Sequence, residues 1–345
     1  MKTIDFRSDT VTLPTKEMLE AILEASLGDD VYREDPTVNK LQNIAAKMFG
    51  KEKALFVTSG TQGNTVSVLS HTEPGDSVIM DSRSHIYNNE LGGIAVIGGV
   101  LAKPIHGEKG ILSPEDVSAA IRRRTLHSPG TTLICIENTH NGAGGVCWDI
   151  EQIKSIRDVA RDNDVSVHMD GARVFNAAVA LDLNVSEIAR NVDSVMCCLS
   201  KGLCAPVGSV VVGDEEFIEQ ALRWRKMLGG GMRQAGILAA PGIIALTMMV
   251  DRLQDDHDNA RILADGLADI NCIEIDLDTV QTNIVRFNIE STGLTTEEFC
   301  DKLGKHGIKA GGSGTSVRMV THLYTSRRDI HRTLEVIRGV FELIS

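Results

Sequence analysis

Val165-Ser166-Val167-His168-Met169-Asp170-Gly171-Ala172-Arg173 is a run of alternating and β-branched apolar residues that stops abruptly at an acid. The stretch before it carries Ile150, Ile153, Ile156 and Ala160 at helical spacing, after Asp149, a favoured N-cap residue type. An apolar run at Thr132–Glu137 precedes that helix. Strand, helix and strand in this order make a parallel βαβ unit with its carboxyl end at Asp170.

Similar runs recur at Ala54–Thr58, Ser77–Met80, Ser194–Leu199 and Ser209–Val212, several of them separated by helical patterns. Near-continuous apolar strands are what a parallel sheet covered on both faces requires. The pattern predicts an α/β fold with a large, mainly parallel sheet. Past Pro241 the character changes. One long helix is expected from about Gly242 to Leu267. Edge-like strands follow at Asn283–Phe287 and Ser316–Thr321, then a C-terminal helix with Ile330, Leu334, Ile337, Phe341 and Ile344 on one face. The expected division is an N-terminal segment over 1–30 that contributes to the active site, a large α/β domain over 31–242, and a smaller α+β domain over 243–345.

Composition narrows the function. The 345 residues are 42% hydrophobic and 24% charged, which suits a soluble globular protein. With 35 Lys and Arg against 47 Asp and Glu, the net charge is −12, which disfavours nucleic acid and anionic membranes as partners. The apolar run Ala235–Val250 is interrupted by Gly236, Pro241 and Gly242 and is too short to span a bilayer. Seven cysteines without a Cys-x-x-Cys pair predict neither a disulfide framework nor a zinc site, and no metal is expected. The first residues, Met1-Lys2-Thr3-Ile4-Asp5, lack a signal-peptide core, so a cytoplasmic protein is expected. Arg122-Arg123-Arg124 is expected to end a surface helix.

Ligands of open α/β sheets bind at the carboxyl ends of strands, and four such ends carry unusual residues. Thr58-Ser59-Gly60-Thr61-Gln62-Gly63-Asn64 is a small polar turn whose amides suit a phosphate, or else an ordinary capped turn. Asp170 is a helix cap, or the partner of a cation such as a protonated pyridine nitrogen. Lys201 follows an apolar strand among glycines and can form a Schiff base with a carbonyl compound. His85 is a satisfied loop residue, or an imidazole that stacks on an aromatic cofactor and exchanges protons. Together the four supply what pyridoxal phosphate (PLP) needs: a phosphate anchor, a partner for the ring nitrogen and an amine for the aldehyde.

At this point the chain resembles a known family, the low-specificity L-threonine aldolases among the fold-type-I PLP enzymes, whose fold is aspartate-aminotransferase-like. The resemblance is carried by Asp5-Phe6-Arg7-Ser8-Asp9-Thr10-Val11-Thr12, Gly28-Asp29-Asp30-Val31-Tyr32, Glu137-Asn138-Thr139-His140-Asn141, Asp170-Gly171-Ala172-Arg173, Ser200-Lys201-Gly202-Leu203, Gly229-Gly230-Gly231-Met232-Arg233-Gln234 and Val317-Arg318-Met319-Val320-Thr321-His322. It implies PLP-dependent retro-aldol cleavage of L-threonine and L-allo-threonine to glycine and acetaldehyde. The alternative is another reaction of the fold, such as β-elimination or serine hydroxymethyl transfer. Lys201 would take the cofactor aldehyde, Asp170 the ring nitrogen, Gly60 and Thr61 the phosphate, and Arg173 would lie near the ring hydroxyl. His85 would stack over the ring and approach the substrate hydroxyl, with His127 as the family's second histidine. Ser8 and Arg318 would grip the substrate carboxylate. Tyr32, Lys226 and Arg233 resemble residues that reach a neighbouring subunit's site, which implies a homo-oligomer, a dimer at least and usually a tetramer. Arg33 and Cys204 stand where the family pattern favours glycine; Cys204 reads as a small packing residue.

Overall fold

The computed structural model describes residues 3–342, apart from the side chains of Phe341 and Glu342. A short strand, β1 (Ile4–Asp5), opens the chain. The main sheet then takes β2 (Lys53–Val57), β3 (Ser77–Asp81), β4 (Leu101–Ile105), β5 (Thr131–Glu137), β6 (Ser166–Asp170), β7 (Ser194–Cys198) and β8 (Ser209–Gly213). Their order is β2-β8-β7-β6-β5-β3-β4. Every neighbouring pair from β7 to β4 is parallel, and β8 alone runs against its neighbours β2 and β7. Strands β3, β7 and β8 are buried along their whole length, as the continuous apolar runs require. The sheet is therefore mainly parallel, and β2, β3, β5, β6 and β7 all end on one edge.

The βαβ unit read from the sequence is present. Asp149 caps the helix Ile150–Arg161 in a reciprocal capping box with Gln152, and Ile153, Ile156 and Ala160 are its buried face. Strand β4 has no counterpart in the apolar pattern. It is Leu101-Ala102-Lys103-Pro104-Ile105 at the sheet edge, where a proline removes no needed ladder bond and the half-buried Lys103 donates to the Ala120 carbonyl at 3.0 Å.

The helix expected from Gly242 to Leu267 is two helices, Gly236–Met248 and Leu253–Ala268, bent by 70°. The first packs in the main core beside Val38, Leu41 and Leu199. The second turns its Leu263 and Leu267 into a separate core with Phe287, Phe299, Met319 and Ile337. One straight helix cannot serve both. No single described helix is long and apolar enough to cross a membrane.

The second core lies on a small antiparallel sheet of β9 (Ile284–Asn288), β11 (Gly311–Ser313) and β12 (Ser316–Val320), ordered β11-β12-β9. Strand β10 (Ile308–Lys309) pairs in parallel with β1, so Ile4 and Phe6 join this core although they begin the chain. Ile330, Leu334 and Ile337 of the helix Arg327–Glu342 are buried; the Phe341 side chain and Ile344 lie outside the described residues. The triple arginine does not end a helix. The helix stops at Ala120, and Arg124 in the loop beyond it pairs with Asp76.

Candidate active site

The parallel edge brings the predicted groups together. Asp170 ends β6 and stands in register with Glu137, which ends β5. His85 opens a short helix after β3, and Lys201 follows β7. Gly60 and Thr61 begin the helix Gly60–His71 after β2, with the Ser59 hydroxyl accepting from the Gln62 amide at 3.1 Å. A cavity of about 180 Å3 is lined by Gly60, Thr61, His85, Asp170 and Lys201, with Asn64 and Glu90. A larger cleft of about 1010 Å3, lined by His106, Leu112, Cys147 and Leu181 among others, contains none of these groups.

The helix start can lie against the sheet only because it carries glycines. A Cβ on Gly60 would meet the Cys198 sulfur at 2.8 Å, and one on Gly63 would meet Met196 at 2.5 Å. With glycine at both places the first-turn amides sit at the cavity, a ready anion cradle.

Asp170 is 2% exposed. It accepts from Asn64 Nδ2 at 2.8 Å and from the Ala172 amide at 3.1 Å. Asn64 Nδ2 also donates to Glu90 Oε1 at 2.8 Å, and Glu90 Oε1 lies 2.9 Å from His85 Nδ1. His85, Glu90 and Asp170 thus offer ligand-type atoms within 4.8 Å of one another, stitched together through one amide. The hydrogen bond to Glu90 pushes the His85 pKa up against the effect of burial, with Asp170 adding to the rise. Burial likewise pushes Glu90 up, and its Oε2 is buried with no partner among the described residues. Glu137 is pushed up by burial and accepts from the amides of His85 (2.6 Å) and Asn141 (2.8 Å), which fixes the loops after β3 and β5.

Arg173 is directed at Asp9. Its Nε and Nη2 each donate to one Asp9 oxygen at 2.7 Å, a two-pronged buried pair. Burial opposes the Asp9 charge, but Arg173 outweighs it and holds the carboxyl far below the usual carboxylate range. Arg173 lies beside Lys201 in a small adjoining cavity of about 10 Å3. The Ser8 hydroxyl accepts from the Thr10 amide at 3.2 Å. Arg318 donates to the carbonyl of Arg7, next to Ser8 in the chain, at 3.0 Å and to Asn141 Oδ1 at 2.9 Å, which places it between the N-terminal segment and the loop after β5. Burial, with Arg173 and Arg286 nearby, brings the Arg318 pKa down to about 10.

His127 stands apart, on an exposed turn between Thr125 and Ser128, and is not among the residues lining the cavity. Tyr32, Lys226 and Arg233 are all exposed. They share one region: the Arg233 carbonyl accepts from the Asp30 amide at 3.0 Å, and Lys226 packs against Gly231. The glycines expected at 33 and 204 have a physical reason. Arg33 takes φ 60° and Cys204 φ 66°, in the left-handed region. The Arg33 side chain donates to Glu219 at 2.6 Å, and the Cys204 thiol is fully buried and pushed up to about 11 by burial, as suits a packing residue.

Four residues of this site carry no assigned role in the sequence reading. Asn64, Glu137 and Asp9 lie inside quoted motifs, but their partners are 106, 52 and 164 positions away. Glu90 stands in no motif.

Comparison with known proteins bears on the family and the fold. The beta-eliminating lyase family matches residues 5–290. The chain is 44% identical to low-specificity L-threonine aldolase 1 of Arabidopsis thaliana, covering 97% of this chain and 95% of that one. It is 44% identical to the low specificity L-threonine aldolase of Escherichia coli K12, covering 95% and 96%. In fold it is similar to a threonine aldolase of Leishmania major, with a TM-score of 0.83 at 20% identity, covering 98% of this chain and 99% of that chain.

Proposed function

Because this chain belongs to the beta-eliminating lyase family and, within it, to the low-specificity L-threonine aldolases, we propose that it cleaves L-threonine and L-allo-threonine to glycine and acetaldehyde with pyridoxal phosphate. One observation carries the reading: Lys201, Asp170, His85 and the Gly60–Thr61 helix start line one cavity. The residues present fit the cofactor. Glycines keep the phosphate cradle open, a buried carboxylate stands ready for a protonated ring nitrogen, and Lys201 supplies an amine for an aldehyde.

Bound there, the cofactor supplies an electron sink for the pair left on Cα when the Cα–Cβ bond opens. The chain does the rest. Asn64 and the Ala172 amide hold both Asp170 oxygens as acceptors, which orients the carboxylate. Arg318 and Ser8 hold the substrate carboxylate and thereby set which Cα bond faces reaction. Glu90 accepts from His85 Nδ1–H, leaving Nε2 with its lone pair to take the β-hydroxyl proton. Arg173 and Asp9 hold the N-terminal segment beside Lys201.

Release of acetaldehyde from L-threonine by the PLP-loaded protein tests the reading. Ammonia and a keto acid without acetaldehyde would replace it with β-elimination. His85→Ala should lower kcat by about a hundred-fold or more. His127→Ala, made alongside, decides which histidine is the base; near-full turnover in both would give that part to a water. Glu90→Gln removes the interaction that raises His85, so the acid limb of the kcat/KM profile should move to lower pH. An unmoved limb would remove Glu90 from the control of His85.

We also propose a homo-oligomer, a dimer or more and by preference a tetramer, to which Tyr32, Lys226 and Arg233 contribute across subunits. Exposed apolar side chains at Leu23 (86%), Leu91 (99%) and Val96 (83%) support burial against another copy. The seven free cysteines, five of them buried, support a reducing, cytoplasmic setting.

A further inference from the structure

Arg286 on β9 stands directly opposite Arg318 on β12 in the antiparallel register. Their side chains leave the same face with Cβ atoms about 5 Å apart, a placement in which like charges repel. Arg286 is half-buried, its Nε is buried and unsatisfied, and its guanidinium has no hydrogen-bond or ion-pair partner among the described residues. Arg83, two positions before His85, adds a third positive charge. Its Nη2 donates to the Gly107 carbonyl at 2.9 Å, and its Nε is buried without a hydrogen bond, 3.8 Å from Asp81. Asp81 is already committed to the amides of Arg83 and Gly107 and lies 3.1 Å from His140 Nε2.

One loop ties these cations to the site. After β5, Asn141 accepts from Arg318, Gly142 packs on Arg83, and Gly144 packs on Arg286. The same Asn141 amide donates to Glu137, which holds the His85 amide. A half-buried cation beside like charges, with no hydrogen-bond or ion-pair partner among the described residues, is costly unless an anion arrives. Threonine brings one carboxylate, and Arg318 takes it. A substrate with a second carboxylate on Cβ carries its two anionic groups two carbons apart, which suits two arginines one cross-strand spacing apart.

We propose that Arg286, with Arg83 and Arg318, forms a second carboxylate position, and that the enzyme accepts β-hydroxy-α-amino dicarboxylic acids, of which 3-hydroxyaspartate is the smallest. The proposal rests on the aldolase reading above and names a further substrate class for it. The Cα–Cβ bond breaks, the β-hydroxyl gives up its proton as its oxygen becomes the aldehyde oxygen of glyoxylate, and Cα takes a proton to give glycine. No oxidant or reductant is needed.

The test compares kcat/KM for L-3-hydroxyaspartate and L-threonine in holoenzyme, with succinate binding measured by calorimetry. Arg286→Met should lower the hydroxyaspartate-to-threonine ratio at least tenfold and weaken succinate by a similar factor. Arg286→Lys, which keeps the charge but not the fork, should lie between. An unmoved ratio in both variants, or a wild type that cleaves threonine but neither cleaves hydroxyaspartate nor binds succinate, overturns the proposal. Equal loss of succinate and inorganic phosphate binding with an unmoved ratio also overturns it, leaving a general anion site. If threonine is not cleaved while succinate binding still depends on Arg286, the aldolase reading falls and the carboxylate position stands.

Discussion

Lys201→Ala should lower kcat for L-threonine cleavage by on the order of 10⁴-fold or more, as removal of a covalent-catalysis side chain does elsewhere. Lys201 is the lysine that lines the cavity beside Asp170. Its loop is held from below, since the Lys201 carbonyl accepts from Thr12 Oγ1 at 2.9 Å and from the Cys204 amide at 2.9 Å. The substitution removes the amine and leaves that backbone in place, so the variant should fold. The helix start at Gly60 and the Asp170 carboxylate remain, so it should still take up PLP but lose it on dialysis faster than wild type. Acetaldehyde release, cofactor retention and a thermal melt read the three points. A fully active Lys201→Ala protein would end the assignment of this lysine.

Asp9→Asn should cost about 3–5 kcal/mol of stability, because it leaves the Arg173 guanidinium buried without its counter-charge. The pair is close to fully buried, at 4% and 0% side-chain exposure, so solvent screening is slight. Asn283 Nδ2 also donates to Asp9 at 3.1 Å and ties in the segment before β9, so the loss reaches both cores. The pH dependence has a definite sign. The Asp9 pKa is lowered on folding, so its contribution is present above the unfolded value, about 3.9, and is lost as pH falls toward the folded value. Urea melts of wild type and Asp9→Asn should therefore differ most near neutral pH and converge in acid. A constant difference across that range would assign the effect to packing instead. Adding Arg173→Met to Asp9→Asn should restore part of the loss, since the orphaned charge goes with it.

The predicted residues that converge share one property. Asp170, His85, Lys201 and the Gly60–Thr61 turn each follow an apolar strand, so the rule that strand carboxyl ends build sites was enough to find them. His127 follows no such strand and lies on an exposed turn. Asn64 and Glu90 were illegible for a different reason. Asn64 bridges Asp170 and Glu90 across 106 and 26 positions, and no local pattern encodes such a contact. The edge strand β4 escaped because Lys103 and Pro104 break the apolar run that marks a buried strand.

By itself, the sequence determined the βαβ order, the mainly parallel sheet and the family, because apolar periodicity and long ordered motifs are local properties of a chain. It also carried the capped helix at Asp149 and the glycine-bearing polar turn over 58–64, since caps and turns are read from neighbouring residues, whereas the approach of Gly60 to Cys198 and of Gly63 to Met196 is tertiary. Only the tertiary structure decided the rest. Arg173 pairs with Asp9, Glu90 rather than a motif residue sets His85, Ile4 joins a core formed by residues beyond 250, and Arg286 faces Arg318. Three of these join residues remote in sequence; His85 and Glu90 are five positions apart, but Glu90 stands in no motif. Their energies come from burial and charge, which exist only once the chain has folded around them.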